Sequence, residues 1–142
     1  MRDKQNLLVK QAREWIGVNY HHQGYSRHGC DCIGLVLGVC YELNYDWRSF
    51  DIPDRTEKPI GEQMKHQINL VCGSPVARKP VAGDLLLFKI YNQPQHCAIA
   101  TDLNGGLGMI HADRSLGEVV ECGLTENWLK RLIAVYEIPL NG

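Results

Sequence analysis

Apolar positions recur on a helical period in the first half of the chain, and in short runs divided by turn residues in the second. Leu8, Ala12, Trp15 and Ile16 form the stripe of a first helix that Asp3 can cap and Gly17 can stop. Val18 to Gly29 reads as a loop rich in Tyr, His and Gly. From Ile33 to Leu43 the chain is almost wholly apolar, with Cys32, Val36, Cys40 and Leu43 on one helical stripe and Leu35, Val39 and Leu43 on a second. That pattern predicts a buried helix ending near Asn44. Gly34 and Gly38 lie one turn apart on it and leave one side bare enough for another element to approach closely. Asp46 to Pro59, with two prolines, reads as irregular. Ile60 to Val71 predicts a further helix with Met64, Ile68 and Val71 on its face, ended by Cys72-Gly73.

The period then changes. Asp84 to Phe88 predicts a buried strand after the turn Val81-Ala82-Gly83, and Asp84 itself is suited to a hydrogen-bonded turn. Cys97 to Thr101 predicts a second strand and Leu107 to His111 a third, with Asn104-Gly105-Gly106 turning between them. Gly117 to Cys122 predicts a fourth. Thr125 opens a short helical turn through Trp128, and Ile133 to Ile138 alternates as a last strand. Helices first and hairpin-connected strands second is an α+β pattern, with an antiparallel sheet covered by helices. The 142 residues show no repeat and no linker, so residues 1–142 read as a single domain.

A formal net charge of −1, with no basic run, gives no footprint for nucleic acid or a membrane surface. Leu7-Leu8-Val9 before Lys10 is too short for the core of a signal peptide, so the expectation is synthesis in the cytoplasm without an export signal. In that setting the six irregularly spaced cysteines read as free thiols rather than a disulfide framework.

Among those thiols Cys32 stands apart by position. It opens the buried helix, where unpaired backbone N–H groups and the positive end of the dipole stabilise an anion. A cysteine there is either a small core hydrophobe or, if a histidine reaches it, a nucleophile of lowered pKa. His96, at the opening of the second strand, and His111, at the end of the third, are brought together by the turn between those strands. A thiolate needs a group that holds its proton and later protonates a leaving amine, which imidazole does near neutral pH. A second polar group fixes the first imidazole's tautomer and orientation, a role open to His111. The backbone N–H of Cys32 is a natural oxyanion donor, and Tyr20 could add a phenolic one. His21, His22, His28, Cys30 and Cys32 crowd one loop, but the Cys-x-Cys has no matching second pair at structural-zinc spacing, so no metal is assigned. His21 and His22 are candidates to line a substrate cleft, and Asp31 beside the nucleophile is grouped with them. No cofactor is called for.

Taken in order, the segments Ala12-Arg13-Glu14-Trp15-Ile16-Gly17-Val18-Asn19-Tyr20-His21-His22-Gln23, Gly29-Cys30-Asp31-Cys32-Ile33-Gly34-Leu35-Val36, Ala82 to Phe88, His96-Cys97-Ala98-Ile99, Ile110-His111-Ala112, and Trp128 with Arg131 resemble the NlpC/P60 family of cysteine peptidases. Within it they are most similar to the phage and gene-transfer-agent cell-wall peptidase branch. The resemblance implies a papain-like fold with the nucleophile helix packed on an antiparallel sheet. It implies Cys32 as nucleophile, His96 as general base and acid, His111 as the orienting residue and Tyr20 beside the nucleophile. It also implies peptidoglycan stem peptides as substrate, often cut after γ-D-glutamyl, and phage-tail proteins as partners in an enzyme that reaches the periplasmic wall with the tail. Ile33 departs from the serine that most often follows the nucleophile. A non-catalytic tail module on the same fold, and a thiol amidase or acyltransferase acting on another substrate, remain alternatives.

Overall fold

Why the apolar stripe at Ile33–Leu43 becomes the centre of the molecule is plain from its burial. In the computed structural model, which describes residues 2–50, 62–90 and 93–140, every residue from Ile33 to Cys40 is buried. A helix apolar on all sides must be enclosed. Here α2 (Cys32–Glu42) is enclosed by α1 (Arg2–Arg13) and by one face of a five-stranded sheet. The two glycines act as expected: a methyl group at Gly34 would strike the Gly24 carbonyl oxygen, and one at Gly38 would strike the Trp15 ring. Trp15 lies just beyond α1, and its Nε1–H donates to Glu42 Oε1 at 2.8 Å. Arg27 donates to the same carboxylate from Nε (2.7 Å) and Nη2 (2.8 Å), which ties α1, α2 and the loop between them.

The loop is less irregular than the sequence suggests. Tyr25–Ser26 (β1) and Gly29–Cys30 (β2) form a two-stranded antiparallel hairpin, and η1, a short 3-10 turn, follows α2 at Arg48–Phe50. Beyond η1, α3 (Gln63–Cys72) buries Met64 and Ile68. The calls for residues 51–59 and for a helix start at Ile60 lie outside the described residues.

The sheet comprises β3 (Asp84–Ile90), β4 (Gln93–Leu103), β5 (Gly106–Asp113), β6 (Glu118–Gly123) and β7 (Leu132–Glu137), ordered β6-β5-β4-β3-β7 and antiparallel at every pairing. Asn104 and Gly105 both have positive φ (50° and 81°), the backbone a two-residue hairpin turn requires, and Leu103 pairs with Gly106 across it. After β6 the chain passes through α4 (Glu126–Leu129) and returns to the far edge, so β7 pairs with β3 rather than with β6. One face of the sheet packs Leu85, Leu87, Cys97, Ile99 and Ile110 on the helices. The other packs Leu86, Phe88, Ala98, Ala100 and Met109 under Trp128 and Leu132. Asp84, fully buried at the strand start, accepts from Arg78 Nη1 at 2.7 Å and from the Val81 N–H at 2.8 Å, the turn role its position suggests. The architecture is the α+β arrangement expected. No helix among the described residues is long and apolar enough to cross a membrane.

Candidate active site

Asp31 starts the site. As the N-cap of α2, its Oδ1 accepts the Gly34 N–H at 2.8 Å, and its Oδ2 accepts the Gln23 N–H at 2.9 Å. These bonds fix where the helix begins and tie the preceding loop to it. Asp31, grouped with the substrate-lining candidates, has a buried carboxylate whose two oxygens accept backbone N–H groups. The residue that the cap places first in the helix is Cys32.

The segment before the loop is sewn to its surroundings by backbone bonds. Gly17 N–H donates to Val119 O (2.9 Å), Tyr20 N–H to Gly117 O (2.8 Å) and Cys30 N–H to Asn19 O (3.0 Å). Tyr20 is bridged to Cys30, and its half-buried ring packs on the same core as Cys32. His21 is exposed, while His22 is half-buried with Nδ1 3.9 Å from Asp31 Oδ2. Cys30 is fully buried and its thiol is pushed up to about 12, chiefly by burial. It belongs to the core.

The histidines come from the sheet. β4 and β5 pair only from Ile99–Ile110 to the hairpin turn, so ahead of Ile99 the two strands are free to part. On its other side β4 slips register against β3: Phe88 pairs with His96, but Lys89 pairs with Pro94, which leaves Gln95 as an extra residue. Such a bulge re-aims the side chain beside it. His96 Nε2 lies 2.9 Å from His111 Nδ1, with the rings nearly perpendicular. The two histidines expected to meet do meet. The indole of Trp128 stacks on His96 with centroids 5.6 Å apart and meets His111 edge-on at 5.4 Å.

His96 Nε2 is engaged by His111, the ring also hydrogen-bonds the Cys32 thiol, and the nitrogen left for that bond is Nδ1. The Cys32 thiol is lowered to about 5 by a hydrogen bond from Cys97, against the cost of burial, together with a hydrogen bond and charge from His96. His111, buried, is held down at about 4 by desolvation first and by the neighbouring His96 charge second. The pair is thus asymmetric: one imidazole faces the thiolate, and a second stays neutral behind it. A thiolate beside an imidazole at a helix N-terminus is equipped for attack on a carbonyl carbon and for proton delivery to a leaving group.

The sequence profile of the NlpC/P60 family matches residues 17–137, from the stop of the first helix to the last strand. The chain belongs to the NlpC/P60 family. A curated relative from Escherichia coli K12, named murein DD-endopeptidase MepS/murein LD-carboxypeptidase, is 26% identical over 130 residues, covering 91% of this chain and 60% of the relative. The chain therefore spans about 60% of the length of the curated relatives it matches. Among solved structures, the NlpC/P60 domain of the peptidoglycan hydrolase SagA superposes with a TM-score of 0.64 at 23% identity, covering 94% of this chain and 98% of that one. An NLP/P60-family protein similar to lipoprotein from Staphylococcus aureus gives a TM-score of 0.66 at 21% identity over 98% of this chain and 42% of its own. These likenesses establish an NlpC/P60 fold.

Two neighbours of the histidine–thiol line were not singled out from the sequence, Cys97 and Cys122. Cys97 directly follows His96 and is fully buried in the core on which Cys32 packs. Cys122 Sγ lies 3.6 Å from His111 Nε2. Each was legible as a thiol in a strand, but its partner depends on strand register. Trp128 was quoted only as part of a motif. Its ring in fact covers the imidazole pair.

Proposed function

We propose that the protein is a cysteine hydrolase cleaving amide bonds in the stem peptides of peptidoglycan, with Cys32 as nucleophile. The observation that carries this reading is the Cys32 thiol, held near 5, in hydrogen-bond contact with an imidazole that is itself oriented by a second at 2.9 Å. Membership of the NlpC/P60 family and the murein-directed name of the Escherichia coli relative support the choice of substrate.

In this reading the Cys32 thiolate attacks the scissile carbonyl carbon. The carbonyl π pair moves to oxygen, and the resulting oxyanion meets the first-turn N–H of Cys32, which has no partner within the helix. Tyr20 supplies a second donor from the strand segment bridged to Cys30. His96 gives its Nδ1 proton to the leaving amine as the C–N bond breaks, leaving a thioester on Cys32. Water then attacks the thioester carbonyl as His96 takes its proton, and the C–S bond breaks with its pair on sulfur. The acid product leaves, and the Cys32 thiolate beside the reprotonated His96 is restored. His111 accepts from His96 Nε2–H throughout and keeps the imidazole in one tautomer. His21 and His22, on the loop tied to Asp31, line the approach to the thiol.

Two finer points belong to the same reading: the scissile bond follows γ-D-glutamyl, and the enzyme is made in the cytoplasm and reaches the periplasmic wall with a phage tail. The first rests on the likeness to the family as a whole, and the second on the closer likeness to its phage and gene-transfer-agent branch. The test is mass spectrometry of fragments released from purified peptidoglycan by the wild type beside Cys32→Ala. New termini at γ-D-glutamyl, absent with the variant, are expected. Termini at a D,D- or L,D-bond would move the specificity toward that of the Escherichia coli relative, and fragments unaffected by the substitution would remove Cys32 from the chemistry. Peptides of the chain in purified tails after prophage induction are the expected sign of the delivery route, and their absence would reject it.

A further inference from the structure

The line of polar side chains does not end at His111. Its Nδ1 faces His96, and its Nε2 faces Cys122 Sγ at 3.6 Å, within the range of a hydrogen bond to sulfur. Cys122 lies on β6 and pairs with Met109 on β5, two residues before His111, so period-two alternation brings its side chain to the same face as the imidazole. The contact is therefore built into the register of the sheet.

The direction of each bond in the line follows from the others. With Nε2 on His111, the His96 nitrogen left for Cys32 is Nδ1, and in both the thiol–imidazole and the thiolate–imidazolium pair its Nε2 carries a proton. His111 Nδ1 must then be the acceptor of the 2.9 Å bond. A neutral His111 with a bare Nδ1 carries its proton on Nε2, the nitrogen that points at Cys122. If Cys122 donated instead, His111 would be protonated at Nδ1, and two N–H groups would confront each other across 2.9 Å.

We propose that Cys122 is a positioning residue: its sulfur accepts the Nε2–H of His111 and so selects the tautomer in which His111 can accept from His96. The thiol is suited to this. Burial and the neighbouring Asp113 and Glu121 charges push its pKa up, so it stays neutral and adds no negative charge beside the imidazole pair. Asp113, on the same strand as His111, accepts from Ser115 and the Leu116 N–H on Oδ1, while the two His111 ring nitrogens are taken by His96 and Cys122. Without the sulfur, Nε2–H loses its partner and the two tautomers draw closer in energy. In the wrong one, His96 is left without an acceptor and turns away from Cys32.

This rests on the thiolate–imidazole reading of Cys32, and the experiment keeps the two apart. Histidine tautomers are read by ¹⁵N NMR in the full chain for the wild type, Cys122→Ala and Cys122→Ser, and alkylation of Cys32 by iodoacetamide is followed in parallel by site-resolved mass spectrometry at neutral pH. The wild type is expected to show His111 as the Nε2–H tautomer and fast Cys32 labelling. Cys122→Ala is expected to mix the tautomers and slow labelling about three- to tenfold, the worth of one ordinary hydrogen bond. Cys122→Ser, which restores an acceptor, is expected to recover both. A wild-type His111 in the Nδ1–H form, or a Cys122→Ala protein unchanged in tautomer, would overturn the assignment of Cys122. Slow Cys32 labelling in the wild type with His111 still in the Nε2–H form would overturn the nucleophile reading instead.

Discussion

Nε2 of His96 and Nδ1 of His111 lie 2.9 Å apart, joining two strands at the point where their backbones have parted. The bond works only while His111 is neutral, and burial holds its pKa at about 4, below the ordinary 6.5. Unfolding releases that constraint. Between about 4 and 6.5 the unfolded chain binds more protons at this residue than the folded one, so stability rises with pH across the window. The contribution is fully present above 6.5 and lost as pH falls toward 4, on the order of 3 kcal/mol over the whole interval. Urea denaturation at a series of pH values should show this slope in the wild type and a shallower one in His111→Gln. Equal slopes would mean that His111 is not held neutral by the fold.

The thiol of Cys32 makes the second prediction. Held at about 5 rather than the ordinary 9.0, it is a thiolate through neutral pH. Its alkylation rate should be flat above about 6 and fall through about 5, while Cys30 and Cys40, both pushed up to about 12, should stay unlabelled in the folded protein. Because a hydrogen bond from Cys97 is the first cause of the lowering, Cys97→Ala should shift the midpoint upward, and His96→Ala should do so as well. A Cys32 midpoint near 9 would contradict the arrangement.

Asp31 offers a third. Removing its side chain in Asp31→Ala frees the N–H groups of Gly34 and Gln23 together. Loss of an N-cap costs about 1 to 2 kcal/mol. Because Cys32 is the next residue, fraying of that turn should also lower its alkylation rate. Asp31→Asn keeps an acceptor for the cap and removes a negative charge that raises the Cys32 pKa, so its thiol should titrate slightly lower than the wild type's. Thermal unfolding and alkylation together check both effects. An Asp31→Ala protein as stable as the wild type would refute the capping role.

Much of this was legible before the fold was known, and the part that was not has a common cause. Local signals held: the all-apolar run gave α2, the Asn104-Gly105 turn gave the β4–β5 hairpin, and that hairpin implied the meeting of His96 and His111. Turn chemistry also kept Asp84 as a turn residue. Pairings between distant segments did not declare themselves. The return of β7 to β3 leaves no mark in either strand, and the β1–β2 hairpin is too short to show alternation. The capping bonds of Asp31 did not show, because proximity to Cys32 in the sequence says nothing of where its oxygens point. Cys97 and Cys122 acquire partners only through register and the bulge at Gln95, which no periodicity reports.

The last prediction tests the close approach that fixes the nucleophile helix. Gly34 sits in the first turn of α2 with the Gly24 carbonyl oxygen directly against its Cα, and the Gly24 carbonyl accepts the Asp31 N–H at 3.2 Å. A methyl group at position 34 meets backbone, not the flexible end of a side chain, so the loop carrying Gln23 and the cap must move. Overpacking usually costs 1 to 3 kcal/mol, and displacing backbone together with a capping bond puts Gly34→Ala at roughly 3 kcal/mol or more. Gly123→Ala is the control, because a Cβ there meets nothing within 4 Å and its φ is ordinary. It should change stability by no more than about 0.5 kcal/mol. Urea midpoints of the two variants make the comparison. If Gly34→Ala were as stable as Gly123→Ala, the loop would not be packed on the helix as described, and the placement of Cys32 beside His96 would lose its support.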